Sequence, residues 1–125
     1  MPSIAAELDA WAAAFNAGDA GALTALYADT AVLWGTLSPL MLTDATGIRR
    51  YFEQAFSAAA KPAVSLGVQH VRMAGNAAIN SGSYTFSLLR TGQLQIVPAR
   101  FSFVYQATPD GWRIVDHHSS VMPVG

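Results

Sequence analysis

From about residue 64 onward, nearly the whole chain falls into four strand-like runs joined by hairpin-length breaks, and this pattern restricts its fold more than any other feature. The runs cover about 64 to 74, 77 to 90, 93 to 107 and 112 to 121, separated by Gly75-Asn76, Thr91-Gly92 and Pro109-Asp110-Gly111. Connections this short make the runs antiparallel neighbours, because a parallel pairing needs a crossover of a dozen or more residues. In the last break proline presets φ and glycine accepts positive φ, so Trp112 opens a strand directly after a tight turn.

Ahead of the strands stand three helical patterns. Ser3 can cap a helix in which Ile4, Leu8, Trp11 and Phe15 share one face, and Gly18 ends it. Asp19 can cap a shorter helix carrying Leu23, Leu26 and Tyr27, after which residues 31 to 34 read as a short strand. Thr43 or Asp44 starts a third helix with Ile48, Phe52, Ala55, Phe56 and Ala59 on one face, ended by Lys61-Pro62. Between strand and helix, residues 36 to 44 read as a loop, and its apolar Leu40, Met41 and Leu42 are expected to close over a cavity. The order ααβαββββ predicts an α+β fold: a cone-shaped roll with three N-terminal helices packed in a curved, mainly antiparallel sheet, as one domain over residues 1–125.

Only 12% of the 125 residues are charged while 52% are hydrophobic, too few polar groups to cover a small monomer, so a homodimer or higher oligomer is expected. Trp112 and Ile114, taken to share the outer face of the last strand with Asp116 and His118, are the residues expected to bury in that contact. Seven basic residues are scattered apart from Arg49-Arg50, and the formal net charge is -1, which argues against nucleic acid or an anionic membrane as partner. The lack of cysteine excludes disulfides and thiolate chemistry. No basic segment followed by a long apolar run opens the sequence, so a cytoplasmic location is expected.

Strand alternation separates the last run into Asp116, His118 and Ser120 on one face and His117 and Ser119 on the other. A Ser-His-Asp triad would need residues two apart on one strand to align in series, and the geometry argues against it. Three histidines with no spaced pair match no common metal site, and the expectation is no metal and no cofactor. A mostly aromatic set, Trp11, Phe15, Tyr27, Trp34, Tyr51, Tyr84, Phe101 and Phe103, suits the lining of a small-molecule pocket, although for any single member the core is the favoured place. His70, on the alternating run Val64, Leu66, Val68, His70, is read as facing the same interior. Arg100, flanked by apolar residues, is the sheet arginine expected to need an anionic or carbonyl partner. The candidate ligand-binding residues are therefore Tyr27, Trp34, His70, Arg100, Asp116, His117 and His118.

Several stretches also carry a resemblance: Asp110-Gly111-Trp112, Ile114-Val115, His118, Ser120 and Pro123, with Asn16-Ala17-Gly18-Asp19, Gly47-Ile48, Tyr51-Phe52-Glu53, His70-Val71 and Gly75. In order and spacing the chain resembles the nuclear transport factor 2-like superfamily, above all the calcium/calmodulin-dependent protein kinase II association domain and its stand-alone bacterial, SnoaL-like relatives. The resemblance implies the same cone-shaped roll. Its register turns His117 inward, with an imidazole pKa below the usual 6.5, and turns His118 and Asp116 toward a partner subunit. Relatives that hold a carboxylate use sheet arginines at positions occupied here by Ser83, Phe103 and Ser119, so recognition of a small acid does not carry over.

Three functions fit these observations. The favoured one is a self-assembling domain with a mostly apolar small-molecule cavity. The alternative is a SnoaL-like or ketosteroid-isomerase-like enzyme, an isomerase, dehydratase or accessory oxidoreductase acting on a small apolar or polyketide-like substrate. A protein adaptor of the nuclear-transport kind ranks third, for want of a partner-binding motif.

Overall fold

Each helix begins where a side-chain oxygen takes a backbone N–H that the helix itself leaves unpaired. The computed structural model describes residues 2–125. Ser3 accepts from Ala6 N at 3.1 Å and opens α1, Ile4–Asn16. Asp19 accepts from Ala22 N at 2.9 Å for α2, Ala20–Ala25, and Asp44 from Gly47 N at 2.7 Å for α3, Ala45–Ala58. Gly18, at φ 66°, supplies the left-handed turn that separates α1 from α2. Tyr27 is not on α2 as its spacing from Leu23 predicts. The helix stops at Ala25, and Tyr27 opens strand β1, Tyr27–Trp34, because Ile114 N bonds Leu26 O at 2.9 Å and draws the chain into the sheet.

The remaining strands are β2 (Met41–Leu42), β3 (Ala60–Ala74), β4 (Ala77–Arg90), β5 (Gln93–Thr108) and β6 (Gly111–Val121). They form one mixed sheet, ordered β2-β1-β6-β5-β4-β3, in which only β1 and β6 pair in parallel. The sheet is not closed, and the helices pack in its concave side, the α+β roll that the element order predicts. The addition is β2: Leu42 and Met41 pair with Leu33 and Trp34, so part of the expected loop is a strand, with Leu40 and Met41 exposed.

Two bulges redirect side chains that simple alternation misassigns. In β6 the pairing runs Ile114 with Tyr105 and then Asp116 with Val104, leaving Val115 as an extra residue. Trp112 and Ile114 consequently face the core together with His117 and Ser119, while Asp116 and His118 stay outside. Trp112 and Ile114 are core residues and are not available to bind a partner copy, contrary to the sequence expectation. In β3 the pairing steps from Leu66 with Tyr84 to Gln69 with Gly82, again one residue too many. Beyond that point Gln69, Val71 and Met73 take the strand face of Leu66 and His70 the other, opposite Ser81, and both faces of this end of β3 are exposed. Gly82 is required here because a Cβ would overlap the Val68 carbonyl oxygen.

The core joins Ile4, Leu8, Trp11 and Phe15 of α1 and Ile48 and Phe52 of α3 to Tyr84, Phe86, Phe101, Phe103, Tyr105 and Ile114 of the sheet. Trp11 lies at its centre, with ring centroids 5.5–5.7 Å from those of Phe15, Tyr84, Phe103 and His117.

Candidate functional site

Between α1, α3 and the concave sheet lies a recess of about 60 Å³, room for a few waters or one small group of a ligand that protrudes through the mouth. Its walls are mostly apolar: Phe15, Phe52, Pro62, Phe86, Leu88 and Val97. The polar groups fall at two places. Arg90 ends β4 on one side, and His117, Tyr84, Ser119, Thr36 and Tyr51 gather on the other. No carboxylate lines the recess.

His117, 2% exposed, is held from three directions. Phe103 stacks on its ring at 3.8 Å between centroids and 18°. Nδ1 lies 2.8 Å from the Tyr27 hydroxyl and Nε2 3.1 Å from the Tyr84 hydroxyl. Behind Tyr27, the Trp11 indole N–H donates to its oxygen at 3.0 Å. In front, the Tyr84 hydroxyl donates to Ser119 Oγ at 2.6 Å, and Ser119 bonds the Thr36 hydroxyl. Burial, reinforced by the neighbouring charge of His118, lowers the His117 pKa from 6.5 to about 3, so the ring is neutral at pH 7. Burial likewise raises Tyr84, against a smaller opposing pull from Ser119, and raises Tyr27 well above 10.0, so both phenols stay protonated. Tyr51 is raised by burial too, and the backbone N–H groups of Leu37 and Thr36 draw it partway back.

Of the seven candidate residues from the sequence, Tyr27 and His117 meet in this network, with Tyr27 behind the histidine rather than on the recess wall. Trp34, Arg100, Asp116 and His118 stand on the outer side of the sheet. Trp34 lies beside His118 at 6.4 Å, and Arg100 Nε donates to Ser120 Oγ at 3.3 Å. His70 is exposed, on the end of β3 that runs beyond the core with both faces open, and it does not line the recess. The loop part of the wall is Gly35, Thr36 and Leu37, not residues 39 to 42.

Sequence reasoning passed over Thr36, Ser119 and Arg90. Ser119 was findable, since it shares a strand face with His117. Arg90 was not, because a charge just before a turn reads as solvated. In the fold its Nε is buried without a hydrogen-bond partner. Gly35 matters by lacking a side chain: a Cβ there would overlap the Tyr51 ring. Gly35→Ala is expected to push Tyr51 out of the recess wall with little effect on the sheet. Loss of the Tyr51 ring-proton contacts to Gly35 in NMR spectra, with an unfolding midpoint near that of the unsubstituted protein, checks this.

Among the described residues no three His, Cys, Asp or Glu side chains converge to hold a metal, and no helix is long and apolar enough to cross a membrane.

Solved structures share the architecture. A Xanthomonas campestris protein assigned as a calcium/calmodulin-dependent protein kinase II association domain is 35% identical, with 98% of this chain and 87% of that one covered at a TM-score of 0.88. A nuclear transport factor 2-like superfamily protein of Salmonella enterica is 21% identical (98% and 91% covered, TM-score 0.86), and a ketosteroid isomerase-like protein of Erwinia carotovora 20% identical (97% and 95%, 0.81). No curated protein matches the sequence. The model of the SnoaL-like domain matches residues 4–125, and with the roll and its arrangement of elements now described, the chain belongs to the SnoaL-like domain family of the nuclear transport factor 2-like superfamily.

Proposed function

We propose that the chain is a self-associating domain that binds a small, mostly apolar molecule in this recess. One observation carries the binding reading: the single basic group at the polar end, His117, is neutral with both ring nitrogens engaged, and no carboxylate stands nearby. Such an end positions a polar group of a ligand better than it removes a proton. At the other end the unpartnered Arg90 Nε favours a ligand with an anionic or carbonyl group, since a buried guanidinium donor without an acceptor is costly. Benzoate and toluene, titrated into the protein and followed by amide chemical shifts, test this. Benzoate is expected to shift Gly35, Thr36 and Arg90 and to bind more tightly than toluene, with the preference lost in Arg90→Met. If neither compound moves any recess resonance, the binding reading is wrong.

Catalysis is the second reading, favoured by the hydroxyl chain that links His117 to the mouth through Tyr84, Ser119 and Thr36. The structural neighbour named ketosteroid isomerase-like gives it a reaction class, and small apolar or polyketide-like substrates would fit the walls. A β,γ-unsaturated cyclic ketone, followed by ultraviolet absorbance of its conjugated isomer, is the assay. Turnover above the buffer rate that is lost in Tyr84→Phe would favour this reading.

Self-association rests on composition and on the exposed apolar side chains Trp34, Leu94 and Ile96 of the outer sheet side. Light scattering at micromolar concentration is expected to give at least twice the 13.2 kDa chain mass. A soluble monomer would remove assembly from the proposal.

A further inference from the structure

The hydrogen bonds around His117 run in one direction, and hydrogen-bond accounting shows why. The Trp11 indole N–H can only donate, so the Tyr27 oxygen accepts it and has its own proton left to place. Among the described residues, the other side-chain partner within hydrogen-bond distance of the Tyr27 oxygen is His117 Nδ1, 2.8 Å away. If Nδ1 carried a proton instead, the Tyr27 O–H would be buried with nowhere to point, a costly arrangement. The neutral ring therefore carries its proton on Nε2 and donates it to Tyr84, which donates to Ser119. Between Ser119 and Thr36 only one proton is needed for the bond they share. Whichever of the two donates, one O–H is left over, and both residues line the recess. Tyr51, whose phenol burial keeps protonated, adds a second O–H on the recess wall.

We infer that the polar end of the recess is a cradle with spare hydroxyl donors, at Tyr51 and the Thr36-Ser119 pair, which selects a ligand by a carbonyl-type acceptor oxygen over an isostere without one. This rests on the reading of the recess as a binding site and states which group of the ligand enters first. Trp11 is the distant determinant: its indole N–H sets the direction of each bond from itself as far as Ser119. Tyr84, whose proton is already committed to Ser119, acts as a positioning residue.

The test pairs cyclopentanone with methylenecyclopentane, which differ by C=O against C=CH₂ at nearly equal shape. Amide shift titrations are expected to show the ketone binding about two- to tenfold more tightly, the range for one neutral hydrogen bond. The ratio should fall in Tyr51→Phe, which removes one of the spare donors, with the affinity for methylenecyclopentane unchanged. Independently, ¹⁵N shifts of the His117 ring at pH 7 should show Nε2 protonated and Nδ1 bare. Equal binding of the two compounds, or a protonated Nδ1, overturns the cradle while leaving the recess a binding site. Failure of both compounds to bind up to their solubility limits overturns the cradle and the binding reading together.

Discussion

Trp11→Ala is expected to lower folding stability by about 3–5 kcal/mol, enough to unfold much of the population of a domain of ordinary stability. The indole is 1% exposed and touches both helical layers and the sheet through Phe15, Phe52, Tyr84 and Phe103. None of these rings can shift far, because each also packs against others: Phe15 on Phe56 and Phe86, and Tyr84 on Phe86 and Phe101. The cavity left behind would remain largely empty. Removal of the indole also deprives Tyr27 of its donor. Trp11→Phe separates the two contributions, since it keeps most of the volume and drops the N–H; about 1–2 kcal/mol is expected for it. Urea unfolding at pH 7 measures both. A Trp11→Ala midpoint within error of the parent would mean that the core is not organised around this residue.

Acid should destabilise the protein through His117 over a definite window. In the unfolded chain the imidazole titrates near 6.5, whereas in the fold its pKa is about 3. Between these values the unfolded state binds a proton that the folded state refuses, so stability rises with pH across the window. The contribution is fully present above 6.5 and is lost as pH falls toward 3, with a total on the order of 5 kcal/mol. No carboxylate faces the ring to soften the effect; its partners are the protonated Tyr27 and Tyr84 and the Phe103 face. Urea midpoints between pH 7 and pH 4 should therefore fall steeply for the parent protein. His117→Gln, which keeps a donor and an acceptor but cannot be charged, should flatten much of that slope while starting from a lower stability at pH 7. Equal slopes for the two proteins would locate the acid sensitivity elsewhere.

Much of this architecture is local and could be read from the chain. Caps at Ser3, Asp19 and Asp44, apolar spacings on α1 and α3, and turn residues between the long strands act within a few positions, so they show in sequence whatever the rest of the molecule does. The same holds for the opposed faces of His117 and His118, which follow from strand alternation alone.

What alternation cannot show is where it breaks. The extra residues at Val115 and near Val68 depend on which partner strand each run meets and on the close approach of Gly82 to the Val68 carbonyl. Those two bulges put Trp112 and Ile114 on the core face with His117 and turned His70 to the opposite face of a β3 end that is exposed on both sides. The pairing of Met41 and Leu42 with β1 is likewise long-range, since two residues carry no period of their own. Arg90 reads as a turn charge until the roll buries its Nε and brings the residue to the recess wall. The hydrogen-bond chain spans Trp11, Tyr27, Thr36, Tyr84, His117 and Ser119, from α1, β1, the loop after it, β4 and β6. Sequence determined which of these side chains could donate and accept; only tertiary packing, by bringing an indole N–H to one end and an open recess to the other, decided the direction in which they do so.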